Sequence, residues 1–252
     1  MKEKVHIKRS ENVAYITINR PKKRNAIDME SMDLLEKKLD EIENNQADKV
    51  VAITGAGNEV FCSGGDLSVF HHLRTKEEAH AMLQKMSQIL FRLFLFPKPT
   101  VALLNGTAVG GGCEIASACD IRVSAPHAKF GFVQGKLAIT TGWGGASMLL
   151  ERIEPSKALE IVMTARMYSA EEGKNLGFIS SLIEGDFKKE SERYLSSYVN
   201  LHADVLAAYK ARFTDRIDRE KLQQRIEREI DDCSTLWAKD AHHEAVEKFI
   251  RK

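Results

Sequence analysis

The residues best suited to chemistry in this chain lie in two glycine-rich segments, residues 61–66 and 105–114, and each segment follows an apolar run. Glycine lets a backbone N–H approach a ligand closely, and N–H groups aimed at a developing negative oxygen are among the strongest catalytic devices. We therefore predict that the two segments form two halves of one oxyanion site. The second segment also supplies a carboxylate, Glu114.

The position of Glu114 relative to Gly111 favours a role in proton or water handling. Residues 113–116 favour a helix start, where unpaired N–H groups and the helix dipole attract negative charge. A carbonyl oxygen could dock on the Gly111 amide, and a spacing of three residues puts Glu114 on the same side of the first turn. The alternative is structural: the glycines form a tight turn and Glu114 only complements the helix dipole.

The order of apolar runs and amphipathic segments predicts an α/β core. Residues 5–8 and 13–18 suggest a hairpin, and an amphipathic helix follows the N-cap candidate Asp28. The runs 50–54 and 100–104 are typical of strands buried on both faces, with a helix over 77–94 between them. A short strand is predicted over 121–124 and a loop region over 130–145. We assign residues 1–186 to the core and 187–252 to a C-terminal helical region.

Composition narrows the classes of partner. The 252 residues include 37 basic and 36 acidic side chains, so no global field favours nucleic acid or an anionic membrane. The charged start and the short apolar stretch 89–96, interrupted by Arg92, predict a cytoplasmic protein without a membrane segment. The four cysteines show neither a CxxC pair nor zinc spacing, so we predict reduced thiols and no metal site.

Two nucleotide motifs are disfavoured. Gly55 and Gly57 follow a strand, but Val60 stands where a dinucleotide-binding loop needs its third glycine, and no helix opens there. Neither Gly-Lys pair is followed by Ser or Thr, as a phosphate-binding Walker loop requires. Phosphoryl transfer is therefore not expected.

Several motifs, in order along nearly the whole chain, resemble the enoyl-CoA hydratase/isomerase, or crotonase, superfamily. The motifs are residues 20–27 (RPKKRNAI), 61–67 (FCSGGDL), and 105–114 (NGTAVGGGCE) followed by Ala118, Cys119 and Asp120. The resemblance implies a spiral of ββα units with a C-terminal helical region that drives assembly of a homotrimer or a dimer of trimers. It also implies an acyl-CoA substrate, with CoA as part of the substrate and no separate cofactor.

The resemblance also assigns roles to residues. The amides of Gly65 and Gly111 would hold the thioester oxygen as it becomes an enolate, and Glu114 would be catalytic. Lys239 or Lys248 would be candidates for a CoA phosphate contact, although a solvated role is favoured for each. The positions that match those around the CoA nucleotide, pantetheine and thioester are Lys22, Asn25, Ala26, Ser63, Gly65, Asp66, Leu67, Ser68 and Gly111.

The chain departs from the hydratase pattern at Gln134. Hydratases of this family usually have a second carboxylate in the loop that corresponds to residues 130–137, and an ungapped alignment puts that position on Gln134. An amide can orient a water or a substrate but cannot deliver a proton as an acid. A fast hydration mechanism with two carboxylates is therefore not expected.

Three interpretations of the function stay open. The first interpretation is an enoyl-CoA hydratase or isomerase of fatty-acid or related acyl-CoA metabolism that uses Glu114 alone. The second is decarboxylation of an alkylmalonyl-CoA, because the motifs, including residues 142–145 (GWGG), also resemble ethylmalonyl-CoA decarboxylase. The third, from another class, is a non-catalytic acyl-CoA-binding scaffold. An intact Glu114 and both glycines argue against the scaffold.

The pair His71 and His72 has two interpretations, and so does Trp143. His71 and His72 follow the first glycine segment and could enter the acyl pocket, although a solvated helix end is favoured. Trp143 stands where the family usually has a small residue and would narrow the acyl pocket or pack behind it. His242 and His243 are predicted to be surface residues.

Overall fold

The computed structural model describes residues 3–251 and consists of two sheets wrapped by helices. The strands are β1 (Val5–Ser10), β2 (Val13–Ile18), β3 (Val50–Gly55), β4 (Val60–Cys62), β5 (Thr100–Leu104), β6 (Thr107–Val109), β7 (Ile121–Ser124), β8 (Lys129–Gly131), β9 (Tyr168–Ser169) and β10 (Ser181–Leu182). The first sheet has the order β1-β2-β3-β5-β7-β10, and the second has the order β4-β6-β8-β9.

The helices alternate with the strands up to β10 and then follow one another. They are α1 (Met29–Asn44), α2 (Leu67–Phe70), α3 (Lys76–Phe94), α4 (Gly111–Ala118), α5 (Gly145–Arg152), α6 (Pro155–Thr164), α7 (Ala170–Leu176), α8 (Phe187–Val199), α9 (Ala203–Arg216), α10 (Arg219–Trp237) and α11 (Asp240–Ile250). This arrangement confirms the predicted α/β fold.

The central strands β3 and β5 of the first sheet are buried on both faces, as their apolar sequences predicted. Neighbouring strands from β2 to β10 are parallel, and β1 pairs antiparallel with β2 in the predicted hairpin. Alternate residues of β3 face opposite sides: Ile53 joins the main core, to which α1, α3 and α10 contribute, and Ala52 joins a smaller core. The smaller core is closed by Leu195 of α8 and Leu206 of α9.

Helix starts follow the capping chemistry of the sequence. Asp28 accepts a hydrogen bond from the Ser31 N–H at 2.9 Å, which confirms it as the N-cap of α1. Thr75 and Glu78 form a capping box at α3, which begins at Lys76. Local side-chain chemistry therefore explains where both helices begin.

The segment predicted as a loop over residues 130–145 contains more regular structure than expected. It includes the end of β8, a 3-10 turn over Val133–Leu137 and the first residue of α5. The strands β4, β6, β8 and β9 have two or three residues each. Such short strands give no detectable alternation, and only pairing in the second sheet creates them.

After Phe187 the described part of the chain contains helices only, and these helices pack closely on the core. The helix α10 contacts α3 and α5, and α11 contacts the 3-10 turn that carries Gln134. A domain boundary at residue 186 stays a prediction. Among the described helices, none combines the length and apolar character that would let it cross a bilayer.

Candidate active site

The two glycine segments meet because β4 and β6 pair in parallel, which brings the ends of both strands to one edge of the second sheet. Gly64 has a φ of +90°, a region that residues with a Cβ rarely adopt. A Cβ at Gly64 would lie 2.9 Å from the Gly111 nitrogen. The backbone of the first segment therefore reaches the start of α4 only because residue 64 is glycine.

Two N–H groups at this junction have no protein acceptor among the described residues. The Gly111 N–H belongs to the first residue of α4, where no helical acceptor exists. Around Gly65, the Ile27 N–H donates to the Gly64 carbonyl and the Asp66 N–H donates to the Ile27 carbonyl, both at 2.8 Å. This bridge leaves the Gly65 N–H unused. Two such groups can together bind one carbonyl oxygen.

Arg20 anchors the first segment to the start of α1. Its guanidinium donates to the Ala26 carbonyl at 2.6 Å and forms ion pairs with Asp66 at 2.8 Å and Asp28 at 3.0 Å. Asp66 also caps α2 by accepting from the Ser68 N–H. The motif alone did not reveal this role of Arg20, because the ion pair with Asp66 joins residues 46 positions apart in the chain.

Glu114 is buried at the start of α4, with 3% of its surface exposed. Its Oε1 accepts hydrogen bonds from the Trp143 N–H at 2.9 Å and the Gly145 N–H at 3.0 Å. Its Oε2 accepts from Gln134 Nε2 at 3.0 Å. A Cβ at Gly145 would lie 2.2 Å from Glu114 Cγ, so this carboxylate fits only against a glycine.

Burial makes Glu114 an acid that holds its proton near neutral pH. Removal from water, the largest effect, and the nearby carboxylate of Glu229 raise the pKa of Glu114 to about 8. The hydrogen bonds from Trp143, Gly145 and Gln134 act in the opposite direction but are outweighed. A carboxyl with this pKa can donate a proton at neutral pH and can act as a base only at higher pH.

Gln134 lies in the 3-10 turn and faces Glu114, as the ungapped alignment predicted. Its Oε1 is buried and has no hydrogen-bond partner among the described residues. The amide group can rotate by half a turn, which exchanges its oxygen and its NH₂ group. The Gln134 oxygen would then accept a hydrogen bond from the protonated Glu114 carboxyl, and the NH₂ group would take the position of the oxygen that now has no partner. Gln134 can thus pair with either protonation state of Glu114.

Comparison with known proteins shows to which family this chain belongs. The sequence profile described as Enoyl-CoA hydratase/isomerase matches residues 8–252. The chain belongs to the enoyl-CoA hydratase/isomerase family. This finding confirms the resemblance that the sequence motifs showed, and it makes the chain a crotonase-superfamily acyl-CoA enzyme.

Members of the enoyl-CoA hydratase/isomerase family with different named activities are about equally similar to this chain. Ethylmalonyl-CoA decarboxylase of Bos taurus is 32% identical over 243 residues, which cover 95% of this chain and 79% of the relative. Short-chain-enoyl-CoA hydratase of Clostridium acetobutylicum is 29% identical over 248 residues, covering 98% and 95%. A crystal structure of an enoyl-CoA hydratase/isomerase from Xanthobacter autotrophicus Py2 superposes with a TM-score of 0.90 at 24% identity, covering 100% and 94% of the two chains.

The residues that the enoyl-CoA hydratase/isomerase resemblance assigned to CoA binding surround the first glycine segment. Lys22 and Ser68 are exposed there, and Ser63 and Leu67 are partly buried. Asn25 and Ala26 are buried, and the Asn25 carboxamide is occupied by backbone partners, among them the Val60 carbonyl at 2.7 Å. Asn25 therefore shapes the loop, and any contact that it makes with CoA must use its backbone.

Trp143 packs against both glycines that carry the candidate amides. Its indole ring lies so close to Gly111 that a Cβ there would be 2.1 Å from Trp143 Cζ3, and a Cβ at Gly65 would be 3.6 Å from Trp143 Cζ2. The ring is 4% exposed. Of the two interpretations of Trp143, the geometry favours the one in which the ring narrows the acyl side of the site, because it touches the glycines themselves.

The histidines differ in their surroundings. His71 is partly buried with Nδ1 2.8 Å from the Leu67 carbonyl oxygen, and His72 is exposed. The prediction that His242 lies at the surface was wrong, because its side chain is 1% exposed and packs against Trp237, with Nδ1 2.7 Å from the Leu137 carbonyl oxygen. This burial follows from the docking of α11 on the 3-10 turn, which periodicity could not reveal.

Proposed function

We propose that this enzyme decarboxylates an alkylmalonyl-CoA thioester. The Gly65 and Gly111 amides hold the thioester oxygen, the bond between C2 and the carboxylate breaks, and its electron pair forms the enolate as CO₂ leaves. Glu114 then gives its proton to C2, and solvent restores that proton. The observation that carries the proposal is that Glu114 is buried and faces an amide instead of a second carboxylate, in surroundings that raise its pKa to about 8.

The charge balance of the site supports this reaction. A malonyl-type substrate brings its own carboxylate, which a second acidic residue would repel, whereas Gln134 is neutral. The apolar ring of Trp143 beside the amides removes water from the site, and a poorly solvated carboxylate loses CO₂ more readily. One proton delivered to one carbon completes the reaction, so a single acid is sufficient.

We extend the proposal to substrate binding and assembly. The loop residues Lys22, Ser63, Asp66, Leu67 and Ser68, with the backbone of Asn25 and Ala26, bind the CoA part of the substrate. The protein assembles as a homotrimer or a dimer of trimers. The first statement is supported by the position of these residues around Gly65, and the second by the family resemblance alone.

Product analysis by mass spectrometry tests the reaction class directly. The wild-type enzyme is incubated with ethylmalonyl-CoA, methylmalonyl-CoA, crotonyl-CoA and a 3-enoyl-CoA, each in a separate reaction. Loss of CO₂ from an alkylmalonyl-CoA is the expected result, and kcat for this reaction should fall above about pH 8 as Glu114 loses its proton. Water addition alone would contradict decarboxylation, and no product from any thioester would contradict an enzymatic role.

Hydration or isomerisation of an enoyl-CoA is the second candidate. The similarity to hydratases of Clostridium acetobutylicum and Syntrophomonas wolfei, at 29% and 30% identity, favours it. In this case Glu114 would act as a base on water or on a substrate carbon. Its activity would then rise with pH toward about 8, opposite to the pH dependence expected for decarboxylation.

The Gln134→Glu variant separates the two candidates further. A carboxylate at this position would lie about 3 Å from Glu114. We expect hydration of crotonyl-CoA to increase, by up to about 10²–10⁴-fold if the second group acts as a general acid. Decarboxylation should decrease, because a second negative charge repels the substrate carboxylate. Gln134→Met is the matched control, since it removes the amide without adding charge, and equal effects of both variants on hydration would refute the role of charge.

Trp143→Ala tests the acyl pocket. We expect the free energy of unfolding to fall by about 3–5 kcal/mol, because a large buried side chain is removed. Kinetic specificity should shift toward bulkier acyl groups, measured as kcat/KM for a series of alkylmalonyl-CoA substrates. Trp237→Ala removes an equally buried indole that contacts His242 of α11, and it should lower stability without this shift. An unchanged specificity in Trp143→Ala would place the ring outside the acyl pocket.

A further inference from the structure

A second carboxylate reaches the helix that binds Glu114. Glu229 lies on α10, and its side chain extends to the first turn of α5. Its Oε1 accepts from the Ala146 N–H at 3.2 Å, and its Oε2 accepts from the Ser147 N–H at 2.9 Å and the Ser147 hydroxyl at 2.7 Å. Glu114 accepts a hydrogen bond from the preceding N–H group of the same turn, that of Gly145. The two carboxylates therefore share one helix N-terminus.

This arrangement couples the charges of the two groups. A helix N-terminus stabilises negative charge, but two like charges so close together oppose each other's ionisation. Glu114 is enclosed by protein, whereas Glu229 is partly exposed at a cleft of about 290 Å³. Glu114 therefore loses its hydration in the fold, which favours its protonated form.

Basic side chains lie near Glu229, but none of those that the structure describes pairs with it. Among residues 3–251, no Lys, Arg or His forms a salt bridge with Glu229. Arg225 and Arg228 line the same cleft, but Arg225 pairs with Glu151 of α5. The remaining ionisable neighbours on α10 are Asp232, which adds negative charge, and Cys233, whose thiol donates to the Thr140 carbonyl.

We propose that Glu229 is a positioning residue that keeps Glu114 protonated by holding a negative charge on the adjacent amides of α5. Its hydrogen bonds to described residues go to Ala146 and Ser147 and not to the candidate amides or Gln134, so it acts through Glu114. The inference rests on the proposed function insofar as the proton on Glu114 is the one delivered to C2. It assigns part of the catalytic control to the C-terminal helical region.

The test follows the ionisation of Glu114 with and without the charge at residue 229. The side-chain carboxyl signal of Glu114 is observed by NMR in protein labelled with ¹³C-glutamate, and Glu114→Gln identifies it. In Glu229→Gln we expect the titration midpoint of the Glu114 carboxyl to move to lower pH by about one unit, the usual size of such perturbations in proteins. The pH above which kcat falls should move downward by the same amount. Asp232→Asn, which removes a charge from the same cleft, should leave both nearly unchanged.

The outcomes separate this inference from the proposed function. Because the NMR titration needs no substrate, a shift of Glu114 supports the inference even if no decarboxylation is found. An unchanged midpoint in Glu229→Gln, with only a lower free energy of unfolding, would show a purely structural cap and overturn it. If Glu229→Gln does not fold, Glu229→Asp is tested instead, because its side chain is one methylene shorter and holds the charge further from the α5 amides. It should move the Glu114 midpoint in the same direction by a smaller amount, and no movement would overturn the proposal.

Discussion

Replacing Glu114 by Gln is expected to lower kcat by about 10²–10⁴-fold, the usual contribution of a general acid or base. The amide is nearly the same size, and its oxygen can still accept from the Trp143 and Gly145 N–H groups. It cannot deliver a proton to C2. The fold and the candidate amides stay in place, so the loss should appear in kcat more than in KM.

The source of the proton can be measured separately from the rate. In D₂O, wild-type turnover of ethylmalonyl-CoA should place one deuterium at C2 in a single configuration, because Glu114 delivers it from one face. Glu114→Gln should release an enolate that solvent protonates without stereochemical preference. If the variant kept kcat within about tenfold of the wild type and the same configuration, Glu114 would not be the acid.

The same variant has an effect on stability whose sign follows from the raised pKa of Glu114. An unfolded glutamate has its ordinary pKa of 4.5, whereas the folded one titrates at about 8. Between these values the folded state binds more protons, so the free energy of unfolding falls as pH rises through this window. Glu114→Gln should remove this part of the pH dependence, which urea unfolding at pH 5 and pH 8 would reveal.

Removing the Gly111 amide is the second change with a large expected effect. A proline at residue 111 has no N–H, and the first position of a helix tolerates it. Loss of one donor to an oxyanion typically lowers kcat by about 10²–10³-fold. The structure shows why Gly111→Pro alone is ambiguous: any Cβ at this residue would collide with Trp143.

The design therefore compares two double variants. Gly111→Pro with Trp143→Ala lacks the N–H, whereas Gly111→Ala with Trp143→Ala keeps it and adds a comparable Cβ in the same opened pocket. We expect the proline variant to turn over the alkylmalonyl-CoA about 10²–10³-fold more slowly than the alanine variant. Circular dichroism and size-exclusion chromatography check that fold and assembly match. Equal rates would show that the Gly111 amide does not bind the thioester oxygen.

Local signals in the sequence determined much of the fold. Apolar runs located β3 and β5 almost to the residue, and helical periodicity located α1 and α3, because these elements are wholly buried or bury one face. The shorter apolar segments of β1, β2 and β7 were also identified. The ordered glycine motifs pointed to the family that the comparisons then confirmed. The family resemblance, aligned without gaps, also implied that Gln134 stands opposite Glu114, and the two side chains are hydrogen-bonded.

The tertiary structure decided what depends on contacts between distant residues. The short strands of the second sheet, the burial of His242 and the contact of Trp143 with Gly65 and Gly111 all arise from packing that leaves no periodic trace. The same holds for the protonation of Glu114, which depends on burial and on Glu229, a residue 115 positions further along the chain. The sequence alone determined which chemical groups are present and which of them lie near the glycine-rich turns. Their free energies of ionisation were decided only by the fold, because desolvation and charge coupling depend on distances in space.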